Sequence, residues 1–60
     1  MNEVEIHRYA TSLYHAHGDA AEAEAAQKAR GLEESGNRAE AADWRRIRAV
    51  IAGMRGPKVS

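Results

Sequence analysis

The residues best suited to form a functional contact are four arginines in the C-terminal part of the chain: Arg45, Arg46, Arg48 and Arg55. Residues 44–60 contain no acidic residue, although the chain as a whole has a net charge of zero. A guanidinium can donate hydrogen bonds to a carboxylate or to a phosphate. We therefore treat these arginines as candidate interaction residues, for a protein partner first and for nucleic-acid phosphates as the alternative.

A second interpretation of the arginines follows from the position of the acidic residues. Residues 1–24 hold five acids and a single arginine, Arg8; the acids are Glu3, Glu5, Asp19, Glu22 and Glu24. The C-terminal arginines could then form ion pairs with the acidic start of the second predicted helix, within the molecule or across a dimer, or stay solvated. Arginine late in a helix is also favoured by the helix dipole. The sequence leaves these alternatives open.

Three histidines, His7, His15 and His17, are the candidate metal ligands of this chain, which has no cysteine. Two ligands on one helix share a face when they are three or four residues apart. His15 and His17 are two residues apart, and His7 and His15 are eight apart, so neither pair fits this spacing. We predict no metal site and no cofactor.

Residue types that take part in acid–base or nucleophilic catalysis are present, but no motif brings them together. Ser12, Tyr14, His15 and Asp19 are of suitable type. The chain has no Gly-x-Ser-x-Gly, His-Glu-x-x-His or glycine-rich phosphate loop. Short helices with an alanine-rich core are also expected to offer no ligand-sized cavity. We therefore expect neither an enzyme nor a small-molecule substrate.

The periodicity of the apolar residues predicts an all-α fold. Three short amphipathic helices are expected at about residues 2–17, 19–35 and 37–54. Gly18 and Gly36 follow the first two helices, at the position where glycine commonly ends a helix. The connections are so short that sequential helices should be antiparallel neighbours in a bundle.

Two helix starts carry the spacing of a capping box. Asp19 is followed three residues later by Glu22, and Asn37 by Glu40. In this motif the first side chain accepts a bond from a backbone N–H of the new helix, and the second reaches back to the cap. Capping boxes are therefore predicted at the second and third helices.

The hydrophobic core is expected to be thin. Of the apolar residues, 13 are alanine, and burying an alanine methyl stabilises a fold far less than burying a large aliphatic side chain. The predicted core residues are Tyr9, Leu13, Leu32, Trp44, Ile47 and Ile51. A single domain is expected over residues 1–55, followed by a flexible tail at 56–60. Self-association would supplement such a core.

Parts of the chain resemble a group of short, uncharacterised helical proteins, chiefly from alpha-proteobacteria. The resemblance lies in residues 13–21, 36–37, 41–47 and 54–57, and covers most of residues 9–57. It rests on a tyrosine followed by His17-Gly18-Asp19, a second glycine turn and Trp44-x-x-Ile47. Asn37 stands where an aspartate is usual in that group, which keeps the capping chemistry. The resemblance implies a small helical domain and supplies no activity or cofactor.

These patterns together favour a non-enzymatic protein–protein interaction module, with a homodimer as one form. The alternative is a nucleic-acid-binding accessory protein that uses the basic face of the third helix, a reading with less support because the net charge is zero. No apolar run approaches the roughly 20 residues that span a bilayer, and no targeting segment is recognisable, so a cytoplasmic location without membrane contact is expected.

Overall fold

The computed structural model describes residues 1–56, which form three α-helices. They are α1 (Glu3–His17), α2 (Ala20–Glu34) and α3 (Arg38–Met54). The predicted all-α class and the three helices are confirmed, and each predicted span exceeds the observed helix by at most its capping residues. Of the predicted tail only Gly56 is described, and residues 57–60 lie outside the described residues.

The helices run up, down and up, so that α2 is antiparallel to both of its neighbours. Glu3, at the start of α1, pairs with Arg46 in the middle of α3, and Thr11, further along α1, contacts Met54 at the end of α3. An ion pair joins Glu22, at the start of α2, to Arg55 just beyond the end of α3. The α2 and α3 helices make the most extensive contact in the bundle, and α1 packs across them.

Both predicted glycine turns are present. Gly18 has φ of 58° and donates its N–H to the carbonyl of Tyr14 over 2.7 Å. Gly36 has φ of 85° and donates to Glu33, while the next residue, Asn37, donates to Leu32 over 2.8 Å. This second pair of bonds is a Schellman motif, which satisfies the last carbonyls of α2. Positive φ at both positions explains the use of glycine.

The helix starts differ from one another in their capping. A complete capping box begins α1: Asn2 Oδ1 accepts from the Glu5 N–H over 2.8 Å, and Glu5 Oε1 accepts from the Asn2 N–H over 3.1 Å. This box was not predicted, although it has the same Asn-x-x-Glu spacing as residues 37–40. At α3, Asn37 Oδ1 accepts from the Glu40 N–H over 3.4 Å, and the Glu40 carboxylate bonds the Asn37 side chain instead of its backbone.

The predicted capping box of α2 is wrong. The Asp19 side chain makes no capping hydrogen bond, and its backbone is already helical, with φ of −62° and ψ of −25°. A capping side chain normally acts from an extended backbone. The carboxylates of Asp19 and Glu22 both lie beside Arg55 instead, so a contact distant in sequence replaces the expected local one.

The core is built from a few aliphatic residues and many alanines. Ile47 and Ile51 of α3 are fully buried. The core cluster comprises Ile6, Ala10, Ala21, Ala25, Ile47, Val50 and Ile51. The α2 helix contributes only alanines to this cluster, and their small side chains allow the isoleucines of α3 to pack close to the α2 backbone.

The predicted core needs one correction. Ile47 and Ile51 are buried, and Leu13, Leu32 and Trp44 are partly buried, but Tyr9 is 47% exposed and lies outside the core. The buried positions of α1 are Ile6 and Ala10. At about 100° per residue, Tyr9 falls about 60° to one side of Ile6 and about 100° from Ala10, on the flank of the helix.

Truncation of Ile47 tests this description of the core. Ile47→Ala leaves a cavity at a fully buried site and should lower the free energy of unfolding by about 2–5 kcal/mol, which is most of the stability of a small domain. The matched control Val4→Ala removes methyl groups at a site that is 60% exposed, and should stay within about 0.5 kcal/mol of the parent. Urea unfolding followed by circular dichroism measures both; equal midpoints would contradict the assigned core.

A second comparison tests the caps. Asn2→Ala removes a complete capping box and should destabilise the protein by about 1 kcal/mol. Asp19→Ala removes no capping bond, and its side chain is 86% exposed beside Arg55, so we expect a smaller effect. Thermal unfolding of the two variants gives the order, and a larger loss for Asp19→Ala would show that Asp19 does cap α2.

Candidate interaction surfaces

The structure does not gather the four candidate arginines into a single basic face. Three of them, Arg45, Arg48 and Arg55, lie along the seam between α2 and α3, whereas Arg46 faces α1. Each lies beside a carboxylate of another helix or of the turn before α2: Arg45 with Glu33, Arg46 with Glu3, Arg48 with Glu22, and Arg55 with Glu22 and Asp19. Ion pairs with the start of α2, the intramolecular alternative, are found for Arg48 and Arg55, whereas Arg46 pairs with α1 and Arg45 with the end of α2.

The pair between Arg46 and Glu3 has the best geometry. Arg46 Nε donates to Glu3 Oε1 and Arg46 Nη2 donates to Glu3 Oε2, both over 3.0 Å. These hydrogen bonds, reinforced by the opposite charges, lower the pKa of Glu3 and raise the pKa of Arg46. His7 Nε2 lies 3.4 Å from Glu3 Oε2, on the same side. Such a two-point contact orients α1 on α3.

Glu22 joins the last turn of α3 to the first turn of α2. Its Oε1 accepts from Arg55 Nη1 over 2.6 Å, and its Oε2 lies 3.9 Å from Arg48 Nε. The Glu22 side chain is only 23% exposed. The hydrogen bond that Arg55 donates to Glu22, together with the charge of Asp19, raises the pKa of Arg55. This carboxylate is therefore hydrogen-bonded to Arg55 and lies near Arg48 without a hydrogen bond to it.

A groove with a volume of about 330 Å³ lies between α2 and α3, and we call it the arginine groove. It is lined by Ala26, Ala29, Arg30, Glu33, Arg45 and Arg48. Arg30 comes from α2 and is not among the predicted interaction residues, because the sequence predicts a basic face on the third helix alone. The sequence signal was its position four residues after Ala26, on the side of α2 that faces α3.

A second surface surrounds the exposed Tyr9, and we call it the Tyr9 surface. Its residues are Met1, Glu5, Arg8, Tyr9 and Ser12, which line a shallow depression on α1. Met1 and Tyr9 are each 47% exposed. The ring of Tyr9 packs edge-to-face on Trp44, with centroids 5.1 Å apart and planes at 77°. This surface was missed because Tyr9 was assigned to the core.

Two of the three candidate histidines, His7 and His17, lie beside carboxylates. His17 Nδ1 is 2.5 Å from Glu24 Oε1, and His7 is paired with Glu3. Within residues 1–56, no three His, Asp or Glu side chains converge closely enough to hold a metal ion. In the same part of the chain, no helix has the length and apolar character required to cross a bilayer.

Comparison with known proteins adds no relative. No protein-family model matches the sequence, and no curated protein or solved structure matches it significantly. The resemblance to short alpha-proteobacterial helical proteins therefore stays a prediction, and the interpretation of function rests on the two surfaces.

The pair between Glu3 and Arg46 predicts a specific dependence of stability on pH. Its hydrogen bonds lower the pKa of Glu3 below the ordinary value of 4.5. The pair therefore stabilises the fold above about pH 4.5, and this contribution is lost as the pH falls through the lower pKa of the folded state. Glu3→Gln should flatten the dependence of the melting temperature on pH below about 4.5.

Glu34→Gln is the matched control, because Glu34 is exposed at the end of α2 and takes part in no ion pair found among residues 1–56. It should keep the pH dependence of the parent. If Glu3→Gln follows the parent as closely as Glu34→Gln does, the pair does not stabilise the folded state in solution.

Proposed function

We propose that this protein is a non-enzymatic protein–protein interaction module that associates with a second copy of itself through the Tyr9 surface. The observation that carries the proposal is the exposed Tyr9, which packs on the partly buried Trp44 and lines a depression with the exposed Met1. Aromatic residues and methionine are enriched in protein interfaces, and a tyrosine ring buries a large area with little loss of conformational entropy.

The Tyr9 surface is pre-organised for binding. The edge-to-face packing on Trp44 fixes the orientation of the Tyr9 ring, so little freedom remains to be lost on binding. Trp44 itself packs against the core cluster. An interface here would therefore continue the core outward, which supplements a core of mainly alanines.

The charges on this surface favour a second copy as the occupant. Glu5 and Arg8 lie three residues apart on α1 and both line the depression. When two α1 helices pack antiparallel about a two-fold axis between residues 6 and 7, Glu5 of each copy faces Arg8 of the other. The same register places Met1 opposite the small Ser12. One surface can thus serve both sides of an isologous contact.

The nucleic-acid alternative receives less support. Its four arginines lie beside Glu3, Glu22 and Glu33, with Asp19 nearby, and these carboxylates would repel a phosphate backbone. Affinity for nucleic acid depends on neutralising several phosphates at once. The four arginines are divided between the α1 side and the seam of α2 and α3, so they do not line up along one phosphate backbone.

Reversal of one charge tests the dimer. Arg8→Glu places two like-charged contacts in the proposed interface and should raise the dimer dissociation constant about tenfold or more. Arg8 is exposed, so helicity should be unchanged. Light scattering coupled to size-exclusion chromatography, over a range of concentrations, measures the mass of the parent and of the variant.

Arg30→Glu is the matched control, since it makes the same charge change on α2, away from the Tyr9 surface, and should leave the dimer intact. Ser12→Arg, which adds bulk at an exposed position, should also disrupt association. A parent protein that is monomeric at every concentration, or an Arg8→Glu variant that dimerises like the parent, would overturn the proposal.

A further inference from the structure

We propose that the arginine groove between α2 and α3 binds paired carboxylates of an acidic peptide segment. This goes beyond self-association, because the groove is formed by two helices that do not contribute to the depression beside Tyr9. The two surfaces can therefore be occupied and tested independently.

The groove carries more positive than negative side chains and can therefore bind an anion. Arg30, Arg45 and Arg48 line it, against one carboxylate, that of Glu33. Glu33 pairs with Arg45. Arg48 reaches Glu22 only at 3.9 Å, beyond hydrogen-bond distance. No ion pair of Arg30 is found within residues 1–56. Because each guanidinium has five N–H donors, most donors remain free to bind a ligand.

The two walls of the groove favour a carboxylate at the end of an unbranched aliphatic side chain, such as that of glutamate. Arg30 stands on α2 and Arg48 on α3, so a ligand between them is approached by a guanidinium from each helix. Ala26 and Ala29 contribute methyl groups to the lining, against which the methylene groups of a glutamate can pack. Arginine forms two parallel hydrogen bonds to a carboxylate, which orients the incoming group.

The same observations favour an acidic peptide over a nucleic acid. Glu33 lines the groove and limits its net positive charge, and the chain as a whole is neutral. A duplex requires contacts to several phosphates along a continuous basic surface. A short peptide with two acidic side chains requires only the local excess of arginine.

Fluorescence anisotropy with a designed probe tests this binding. The probe is a fluorescein-labelled helical peptide with glutamates in i, i+4 pairs, and its matched partner has glutamine at the same positions. The parent protein should bind the glutamate peptide and not the glutamine peptide. Binding should weaken toward about 1 M salt, where the screening length falls to about 3 Å.

Arg30→Glu is the decisive variant, because it removes a groove cation without breaking an observed ion pair. It should weaken binding of the glutamate peptide about fivefold or more. Arg8→Glu, with the same charge change on α1, should bind the peptide like the parent even though it is expected to lose the dimer. The two variants thereby distinguish a loss of dimerisation from a loss of peptide binding in the groove.

Three results would overturn the proposal. The first is equal binding of the glutamate and glutamine peptides. The second is an Arg30→Glu variant that binds the glutamate peptide as well as Arg8→Glu does, while circular dichroism shows both to be folded. The third is tighter binding of a labelled DNA duplex of similar charge than of the peptide, which would assign the groove to nucleic acid.

Discussion

Close packing of two isoleucines on a helix of alanines determines the arrangement of this molecule. Ile47 and Ile51 of α3 are fully buried in a cluster to which α2 supplies Ala21 and Ala25. Alanine loses no side-chain entropy on burial and allows neighbouring backbones to approach closely. The contact between α2 and α3 is therefore the most extensive one, although α2 carries hardly any large apolar residues.

This closeness also explains the charges along the seam. Flanking side chains of two tightly packed helices come within reach of each other, so arginines of α3 meet carboxylates of α2 at both ends of the contact, at Glu33 and at Glu22. Exposed pairs of this kind contribute little to stability individually. Their effect on function is larger, because they neutralise most of what the sequence presents as a basic segment. What remains is the local excess of arginine at the groove.

The α1 helix is attached in a different way. It places Ile6 and Ala10 in the core and is oriented by the two-point contact between Glu3 and Arg46. With only two buried positions, α1 leaves Tyr9 exposed to solvent, where its ring packs on Trp44. The Tyr9 surface on α1 and the arginine groove between α2 and α3 therefore have one origin. Both arise because the bundle contains few large apolar residues.

The sequence by itself determined the features that depend on near neighbours. Helical periodicity and the glycines at 18 and 36 predicted three helices and their ends, because these properties arise from backbone conformation and bonds within a few residues. The Asn-x-x-Glu spacing also predicted a cap for α3, and the same spacing at Asn2 would have revealed the cap of α1.

Only the tertiary structure decided which partners distant side chains meet. Asp19 matches a local capping pattern, yet Arg55, more than thirty residues away along the chain, lies beside its carboxylate and that of Glu22. Tyr9 is a large aromatic residue of a type that often lies in a core, but its exposure depends on how α1 is rotated against the other helices. Arg30 and Arg48 line one groove because α2 and α3 pack antiparallel at a particular register. Side-chain packing between helices sets rotation and register, and periodicity along a single helix does not specify either.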